Sequence, residues 1–511
     1  MKVENSKLPS VEKPWLKFYT EEELAKQPVK ATIFERIYKN NKNHMGNIAI
    51  NYFGSKISYG SMFENIEKCK NALVNYGVKQ GDKVALLMTS TPELVYTVLA
   101  ICRIGAVANL ISPLFSEKQI INRTNETDAD IMFVLDAFYG KISNVTEQIC
   151  IKNYVIVETA NSMPITTKLL VSKKLNKHIK YNQKILKWKD FISENLKETQ
   201  DYQYISNYPC IMVYSSGSTG ASKGIVLTHD GINATVSHYT DTNFSYKRED
   251  TFLQIVPVWF STGIILSILM PLCLGLTVVL EPIFSGETFS RDIRKYKPNL
   301  TLAATSLWLY VLADSKMQKA DLSKFSYPIT GGEQILSETE KRINNFLQSH
   351  GCKAPLIKGY GMCELGSTIT SSSPVHSKSG SVGYPIKNVI VGAFNEKYEE
   401  VGYYERGEIC VLSPARMKEY FKNPESTEEF FFTDMYGNRW GKTGDIGYID
   451  KDGDVYISGR STDAFISIKG NKIYNFDIET TIRDNCNIKD CEVIGYNKGN
   501  HEVPVGISDY K

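Results

Sequence analysis

The sequence of 511 residues lacks paired cysteines and any strong excess of charge of one sign. Its ten cysteines occur singly, and the closest pair, Cys486 and Cys491, has no neighbouring histidine pair to complete a zinc site. The 59 basic and 56 acidic residues give a net charge of +3, without the basic excess of a nucleic-acid-binding domain. We therefore predict reduced thiols, a cytoplasmic location and no nucleic-acid partner.

Secretion and membrane signals are also missing. The first 15 residues contain no apolar core, so no secretory signal is expected. Residues 255–280 carry no charge, but Pro257, Pro271 and Gly275 interrupt them, and lysine or arginine anchors do not flank them. This pattern predicts strand, helix and strand in a protein core, and no transmembrane segment.

Strand-like and helix-like runs alternate through most of the chain. Strands are predicted at 83–88, 106–110, 131–135 and 154–157, and a helix is predicted at 92–104. Such alternation is typical of an α/β protein whose parallel sheets are covered by helices. The length requires more than one domain.

The composition changes after residue 401, where glycine, aspartate and short β patterns become frequent. We predict a β-rich lobe at about 385–459 within a large domain of residues 1–459, then a hinge and a partial C-terminal domain at 460–511. Residues 168–189 are rich in lysine. They are either a solvated connection or a patch for an anionic surface or a phosphorylated thiol cofactor.

A loop rich in serine and glycine follows the strand-like run 210–214. Its glycines let the backbone approach a polyphosphate, its amides and hydroxyls donate hydrogen bonds, and Lys223 supplies positive charge. Because Lys223 precedes Gly224 and Ile225, the order is not that of a Walker loop. A flexible linker would not stand between two β-like runs. The predicted nucleotide-binding residues here are Ser215, Ser216, Gly217, Ser218, Thr219, Gly220 and Lys223.

This loop resembles the signature of the adenylate-forming superfamily, which includes acyl-CoA synthetases, peptide-synthetase adenylation domains and luciferases. That signature is close to (Y/T)-(T/S)-S-G-(S/T)-T-G-x-P-K-G, and residues 214–224 depart from it only at Ser222, where proline is usual. The resemblance implies that ATP binds here and that Lys223 and Thr219 are catalytic.

Further motifs follow in the order of the family. Gly331, Gly332 and Glu333 resemble the turn that lies against the adenine. The run 359–364, GYGMCE, resembles Y-G-x-T-E, and the nucleotide-binding residues implied there are Tyr360, Gly361 and Cys363, the last at a position where threonine is usual. Glu364 is the implied catalytic and magnesium-binding residue, since a carboxylate beside phosphates suits that cation.

Two later matches complete the nucleotide site. Asp445, in the sequence TGD, corresponds to the family's ribose-binding aspartate, and Arg460 corresponds to the arginine that closes the site. Residues 420–425 also resemble family sequence between the motifs. The resemblance covers nearly the whole chain and favours the acyl-CoA synthetase branch.

Residues 256–261, VPVWFS, resemble the segment that forms the acyl pocket. Ser261 stands where an amino-acid-activating domain has aspartate, and a buried ammonium without a partner is costly, so an α-amino acid is disfavoured. Isoleucines at 264, 265 and 268 suggest an apolar acid, although they could equally fill a core. The predicted substrate-binding residues are Trp259, Phe260, Ser261 and Gly331.

The resemblance implies a two-step reaction that uses ATP, Mg²⁺ and coenzyme A. A carboxylic acid, predicted to be a fatty or other apolar acid, first forms acyl-AMP with release of pyrophosphate, and the acyl group then moves to a thiol. Two alternatives are an acyl-AMP ligase that loads a carrier protein and a catalytically weak nucleotide-binding homologue. The second alternative arises because no residue here matches the family's late lysine, so a truncated α+β lobe is expected.

Overall fold

The structure is a computed structural model that describes residues 8–175, 179–193, 199–215, 222–242, 244–466, 472–486, 491–497 and 502–508. Its first sheet has eight described strands. Six neighbouring strands are parallel, and two antiparallel strands extend the edge that carries the serine-rich loop. In spatial order the strands are Glu419–Tyr420, Gly224–Thr228, Pro209–Tyr214, Val107–Leu110, Lys83–Leu87, Ile131–Leu135, Asn153–Val157 and Ile185–Lys187.

The second sheet has nine strands in the described part of the chain. Its central strands are parallel, and short antiparallel strands close both edges. Their spatial order is Tyr384–Pro385, Thr370–Ser371, Ile357–Tyr360, Tyr327–Gly331, Leu300–Ala303, Thr251–Gln254, Thr277–Leu280, Ile48–Tyr52 and Ser55–Ser58.

The third sheet is smaller and antiparallel. Its strands are Ile390–Phe394, Gly407–Leu412, Arg439–Ile449, Phe431–Thr433 and Val455–Arg460. Beyond it, two short hairpins and a helix are described, at Ala464–Ile466 with Lys472–Tyr474, Cys491–Asn497 with Glu502–Ser508, and Asn475–Cys486.

Helices cover both large sheets. The α-helices before the third sheet are Pro9–Glu12, Glu21–Ala25, Ile33–Asn41, Tyr59–Asn75, Pro92–Ile104, Glu117–Asn125, Ile165–Leu175, Trp188–Phe191, His229–Asp241, Met270–Leu274, Gly286–Tyr296, Thr305–Ala313 and Ser337–Ser349. Pro424–Phe430 is a helix beside the third sheet, and 3₁₀ turns occur at Pro14–Phe18, Asp136–Lys141, Thr146–Gln148, Ser315–Lys319 and Cys363–Leu365.

Alternating side chains of the large sheets enter different cores, as a sheet buried on both faces requires. Val84 and Leu86 of the first sheet lie in the main hydrophobic cluster, whereas Ala85 and Leu87 lie in a second cluster on the other face. The main cluster also contains Phe252 of the second sheet and residues of the third sheet, so it joins all three.

The helix Pro92–Ile104 shows how local sequence sets an element. Thr91 accepts a hydrogen bond from Leu94 N at the start, Pro92 occupies the first turn, and Gly105 ends the helix with φ of 74°. All of its residues except Arg103 are buried. This helix was predicted with the same bounds, and the predicted strands agree with the structure to within one residue.

The uncharged stretch 255–280 is buried and forms a helical segment followed by the strand Thr277–Leu280, as predicted. The predicted first strand is not found within it, because the strand Thr251–Gln254 ends just before Ile255. The segment Thr262–Leu269 is a π-helix in which Met270 N donates to Ile265 O, five residues earlier, and Pro271 follows. Among the described residues, no helix is both long and apolar enough to cross a bilayer. The α/β fold class, with two helix-covered sheets, a β-rich lobe and a small α+β part, is confirmed.

Candidate functional site

The predicted phosphate loop connects two antiparallel strands at the edge of the first sheet. Its two ends are joined because Ser215 N donates to Lys223 O and Lys223 N donates to Ser215 Oγ, both at 3.1 Å. Ser215 and Lys223 therefore lie side by side at the base of the loop. The predicted residues Ser216, Gly217, Ser218, Thr219 and Gly220 lie outside the described residues.

Lys223 and Glu364 are brought together by Tyr420. The Lys223 Nζ atom lies 5.0 Å from the centroid of the Tyr420 ring, and the Tyr420 hydroxyl donates to Glu364 Oε1 at 2.9 Å. A cation over an aromatic face is attracted by the ring electrons. Tyr420 therefore contacts both Lys223, which directly precedes a strand of the first sheet, and Glu364, which follows a strand of the second sheet.

Glu364 lies in the short turn Cys363–Leu365, which follows the strand Ile357–Tyr360. Its side chain is buried, and burial raises the pKa of its carboxyl, while the hydrogen bond from Tyr420 and the charges of Arg460 and Lys223 lower it. The main chain is fixed as well, since Met417 N donates to Glu364 O at 2.6 Å. The Glu364 carboxylate therefore has a defined position in a buried environment with little access to water.

A second carboxylate, Asp445, lies on the third sheet. It accepts a hydrogen bond from the Tyr360 hydroxyl at 2.6 Å, and Arg460 Nε lies 3.1 Å from its Oδ1 atom. Asp445 and Arg460 face each other in register on adjacent strands, and Arg460 also donates to Thr443 O at 3.1 Å. Burial raises the pKa of Asp445, and the Tyr360 hydrogen bond opposes that rise.

The glycines of the predicted adenine motif, Gly331 and Gly332, lie at the carboxyl end of the strand Tyr327–Gly331 in the second sheet. Gly331 pairs with Gly359, and a Cβ atom on Gly331 would lie 2.8 Å from Gly359 O. Gly332 has φ of 82°, which glycine adopts without strain. The Glu333 carboxylate accepts hydrogen bonds from Ser306 N and Oγ, at 2.8 and 2.9 Å. Its side chain is thus used to cap the helix Thr305–Ala313.

The predicted acid-binding segment lies beside Glu364. Ser261 and Cys363 are neighbours, and burial and the charge of Glu364 raise the pKa of the Cys363 thiol to about 11. The π-helix begins directly after Ser261, and Ser367 Oγ donates to Thr262 Oγ1 at 3.0 Å. This contact ties the start of the π-helix to the loop that carries Glu364.

The aromatic residues of the same segment are largely buried. Trp259 packs against Phe260 and Phe284, with ring centroids 6.3 and 5.4 Å away. Its Nε1 atom is buried without a hydrogen-bond partner among the described residues. These rings therefore form an apolar surface that carries one indole donor.

Gly361 is required by the close approach of two backbone segments. A Cβ atom at this position would lie 1.8 Å from Ser367 O. We expect Gly361→Ala to lower the free energy of unfolding by about 3 kcal/mol, because the two segments that carry Tyr360 and Glu364 must separate. Urea unfolding measures this, with Gly46→Ala as the control, since nothing lies within 4 Å of a Cβ there. Equal losses in the two variants would contradict the prediction.

The structure adds residues that the motif analysis gave no role. Tyr420 was noted only as part of a family-like run, and its contact with Glu364 spans 56 positions of sequence. Thr443 was likewise assigned no function, yet its hydroxyl accepts from Asp445 N at 3.1 Å and donates to Ile409 O at 2.6 Å. The TGD sequence was the available signal for Thr443.

Comparison with known proteins identifies the family. Residues 37–421 match the family model described as AMP-binding enzyme. The chain is 25% identical over 496 residues to a long-chain-fatty-acid–CoA ligase of Bacillus subtilis, covering 95% of this chain and 86% of that protein. It is 27% identical over 459 residues to a probable 4-coumarate–CoA ligase 1 of Dictyostelium discoideum, covering 88% and 80%.

Solved structures share the fold. The anthranilate CoA ligase AuaEII in complex with anthranoyl-AMP superposes with a TM-score of 0.80 at 20% identity, covering 94% of this chain and 87% of that one. ATP-bound MatB from Rhodopseudomonas palustris gives a TM-score of 0.79 at 20% identity, covering 94% and 88%.

The chain belongs to the family of AMP-binding enzymes. The predicted branch, that of the adenylate-forming acyl-CoA synthetases, and the predicted enzyme class, acid–thiol ligase, are confirmed.

Proposed function

We propose that this protein uses ATP to convert a carboxylic acid to acyl-AMP and then transfers the acyl group to coenzyme A. The observation that carries the proposal is the Lys223–Tyr420–Glu364 arrangement, in which one tyrosine contacts both the cation and a buried carboxylate. Lys223 also pairs with Ser215 at the base of the predicted phosphate loop. A second carboxylate with two partners, Asp445, stands on the adjoining third sheet.

In the first step, an oxygen of the acid attacks the α-phosphorus of ATP, and pyrophosphate leaves with the electrons of the broken P–O bond. Lys223 offsets the negative charge that develops on the phosphate oxygens. Because the Tyr420 ring already holds its ammonium group, little reorganisation is needed at that moment. In the second step, the thiol sulfur attacks the acyl carbon and AMP leaves.

Glu364 fits a magnesium ion that is bound together with substrate phosphates. It is a buried carboxylate with one oxygen occupied by the Tyr420 hydroxyl, and Mg²⁺ usually takes one or two carboxylates plus phosphate oxygens. Among the described residues, no cluster of three or more His, Cys, Asp or Glu side chains forms a metal cage. The ion would supply positive charge to the triphosphate.

Asp445 suits the ribose of the nucleotide. A carboxylate has about four acceptor positions, and Tyr360 and Arg460 occupy part of them. Two vicinal hydroxyls can use the remainder. We assign the adenine to the surface formed by Tyr360, Gly331 and Gly332. The support is that Gly331 pairs with Gly359, the residue before Tyr360, and that nothing lies within 4 Å of a Cβ atom built on Gly332.

We propose an apolar acid as the substrate, bound along Trp259, Phe260 and Ser261. The support is the buried aromatic wall and the serine in place of a carboxylate, which leaves an ammonium group unpaired. We also propose that the large domain ends at 459 and the C-terminal domain begins at 460, because the last strand of the third sheet ends at Arg460.

Acid-dependent ATP–pyrophosphate exchange tests the first step. A panel of aliphatic acids, aryl acids and α-amino acids is expected to give exchange with apolar acids and the least with amino acids. Absence of exchange for every acid would overturn the proposal and favour a nucleotide-binding homologue without catalysis. The second step is tested by product formation with coenzyme A and with a holo carrier protein, and preference for the carrier would replace coenzyme A as the acceptor.

Tyr420→Phe separates the two contacts of this residue. The variant keeps the ring under Lys223 and removes the hydroxyl that donates to Glu364, so exchange is expected to fall about tenfold, as for a lost hydrogen bond to a charged group. The hydrogen bond lowers the pKa of Glu364, so its loss raises that pKa. The acid limb of the pH profile for exchange should therefore move to higher pH.

The control for this prediction is Tyr398→Phe, a change at an exposed tyrosine of the third-sheet lobe. If Tyr420→Phe lowers exchange without moving the acid limb, its hydroxyl acts on stability and not on the ionisation of Glu364.

A further inference from the structure

A polar cavity of about 400 Å³ lies at the edge of the second sheet where its parallel strands begin. Ile48, Thr251 and Thr277 line this cavity, and each is the first residue of its strand. Gly331 and Tyr360, which belong to the candidate site, are the last residues of their strands. These strands run in the same direction, so the cavity and the candidate site lie at opposite edges of one sheet.

Arg248 gives the cavity a positive charge that is fixed in place. Its Nη1 atom donates to Asn41 Oδ1 at 2.9 Å, and its Nη2 atom donates to Asn40 O at 2.6 Å. Asn41 is itself buried, and its Nδ2 atom donates to Ile37 O and Leu272 O at 2.8 and 2.9 Å. Both acceptors of Arg248 are neutral, so they position the guanidinium without neutralising its charge.

The turn at Gly275 leaves room for this guanidinium. A Cβ atom at Gly275 would lie 2.4 Å from Arg248 Nη1 and 3.0 Å from Asn41 Oδ1. Gly275 also ends the helix Met270–Leu274 with φ of 78°, which glycine adopts without strain. The half-buried Arg248 is therefore held by the fold and is not a freely rotating surface side chain.

Four further residues of the cavity share one face of the sheet. Asn51 and Lys56 are direct partners on an antiparallel pair of strands, so their side chains are neighbours. Asn51 is also in register with Val279, and Thr277, two residues before Val279, is in register with Thr251. Because side chains alternate along a strand, Thr251 and Thr277 lie on the same face as Asn51 and Lys56.

The strongest polar groups around the cavity are donors. Arg248 and Lys56 carry only donors, and Asn51 Oδ1 already accepts from Gly54 N at 2.9 Å, which leaves the amide NH₂ group to donate. Glu249 also lines the cavity, but it is exposed, as is Lys56. Arg248 is thus the charge that water screens least, and it favours an anion.

We propose that this cavity binds a small phosphorylated molecule through its phosphoryl group. The planar guanidinium of Arg248 matches two oxygens of a phosphoryl group, and the Asn51 amide and Lys56 ammonium can donate to the others. A carboxylate has only two oxygens and would leave those donors without an acceptor. The cavity of about 400 Å³ is within the ~300–1,000 Å³ of ligand pockets, so an organic part fits beside the phosphoryl group.

Isothermal titration calorimetry of the full chain without ATP or acid tests the proposal, with glycerol 3-phosphate and inorganic phosphate as probes. Both are expected to bind, while glycerol and acetate at the same ionic strength bind at least about tenfold more weakly. The tighter of the two phosphate probes identifies the source, an ester or the free ion. Arg248→Gln should weaken glycerol 3-phosphate binding at least about tenfold, because charge-assisted hydrogen bonds are lost.

Lys56→Gln covers the case in which Arg248→Gln destabilises the fold. Lys56 is exposed, so this variant should fold normally and bind about threefold more weakly. The matched control is Lys247→Gln, which removes a charge from an exposed neighbour of Arg248 outside the cavity wall and should leave binding unchanged. Lys223→Ala should also leave it unchanged, since Lys223 belongs to the candidate site.

Four results would overturn the proposal. Neither phosphate probe binds at millimolar concentration, or acetate binds as tightly as they do. Arg248→Gln and Lys247→Gln weaken binding equally, which would mean that only diffuse charge attracts the probes. Lys223→Ala abolishes the binding, which would place the phosphate in the candidate nucleotide site. Because no exchange activity is measured, failure of the proposed catalysis does not affect any of these outcomes.

Discussion

Lys223→Ala is expected to lower the rate of acid-dependent ATP–pyrophosphate exchange by about 100-fold or more, the usual effect of removing one preorganised group that stabilises developing charge. The ammonium of Lys223 lies over the Tyr420 ring, and the main chain of Lys223 pairs with Ser215 at the base of the predicted phosphate loop. Its alanine variant keeps the backbone hydrogen bonds with Ser215, because these use only main-chain atoms of Lys223. Loss of activity should therefore occur with an unchanged melting temperature.

The matched control for Lys223 is Lys418→Ala. Lys418 directly precedes the strand that carries Tyr420, is exposed, and has Asn207 O as a distant partner at 3.5 Å. Its loss removes the same charge from the same edge of the first sheet, and exchange should stay within about twofold if only position-specific charge matters. Equal losses of exchange rate in the two variants would mean that general electrostatic attraction of ATP causes the loss, and that Lys223 has no position-specific role.

Glu364→Gln is the second change with a large expected effect. The amide preserves the shape of the side chain and can still accept from Tyr420, but it removes the negative charge that we assign to magnesium binding. Exchange is expected to fall by about 100-fold or more at fixed magnesium, the scale of losing one charged group at the reacting phosphates. Magnesium titration of the exchange rate should show a midpoint shifted to higher concentration.

The control here is Glu419→Gln, which neutralises an exposed carboxylate next to Tyr420 on the same short strand. This variant should leave both the rate and the magnesium midpoint unchanged. If Glu364→Gln lowers the rate at every magnesium concentration without moving the midpoint, the carboxylate acts on the acid or the phosphates without the metal, and the magnesium assignment is wrong.

Local patterns were sufficient for the elements whose limits depend on nearby residues. The helix Pro92–Ile104 could be predicted because Thr91, Pro92 and Gly105 act on the first and last turns. The strand before the phosphate loop was also predictable, since its apolar run ends at the serines. The fold class followed from the alternation of such elements.

Contacts between distant segments could not be predicted in the same way. The hydrogen bond from Tyr420 to Glu364 and that from Tyr360 to Asp445 join residues 56 and 85 positions apart, and neither depends on a local pattern. The Glu333 carboxylate illustrates the same limit. Its motif suggests a nucleotide contact, but its observed donors are the main-chain and side-chain groups of Ser306 in the first turn of the helix Thr305–Ala313. Such contacts form only after each strand has joined its sheet, so they depend on the three-dimensional arrangement of the sheets.

The two tyrosine contacts have a consequence for the unfolding of the protein. Tyr420 of the first sheet holds Glu364 beyond the second sheet, and Tyr360 of the second sheet holds Asp445 of the third. A nucleotide that touches both carboxylates therefore cross-links all three sheets. At 100 times its dissociation constant, such a ligand raises the free energy of unfolding by about 2.7 kcal/mol. Because one hydrophobic cluster already joins the sheets, this gain should move a single melting transition upward and not split it.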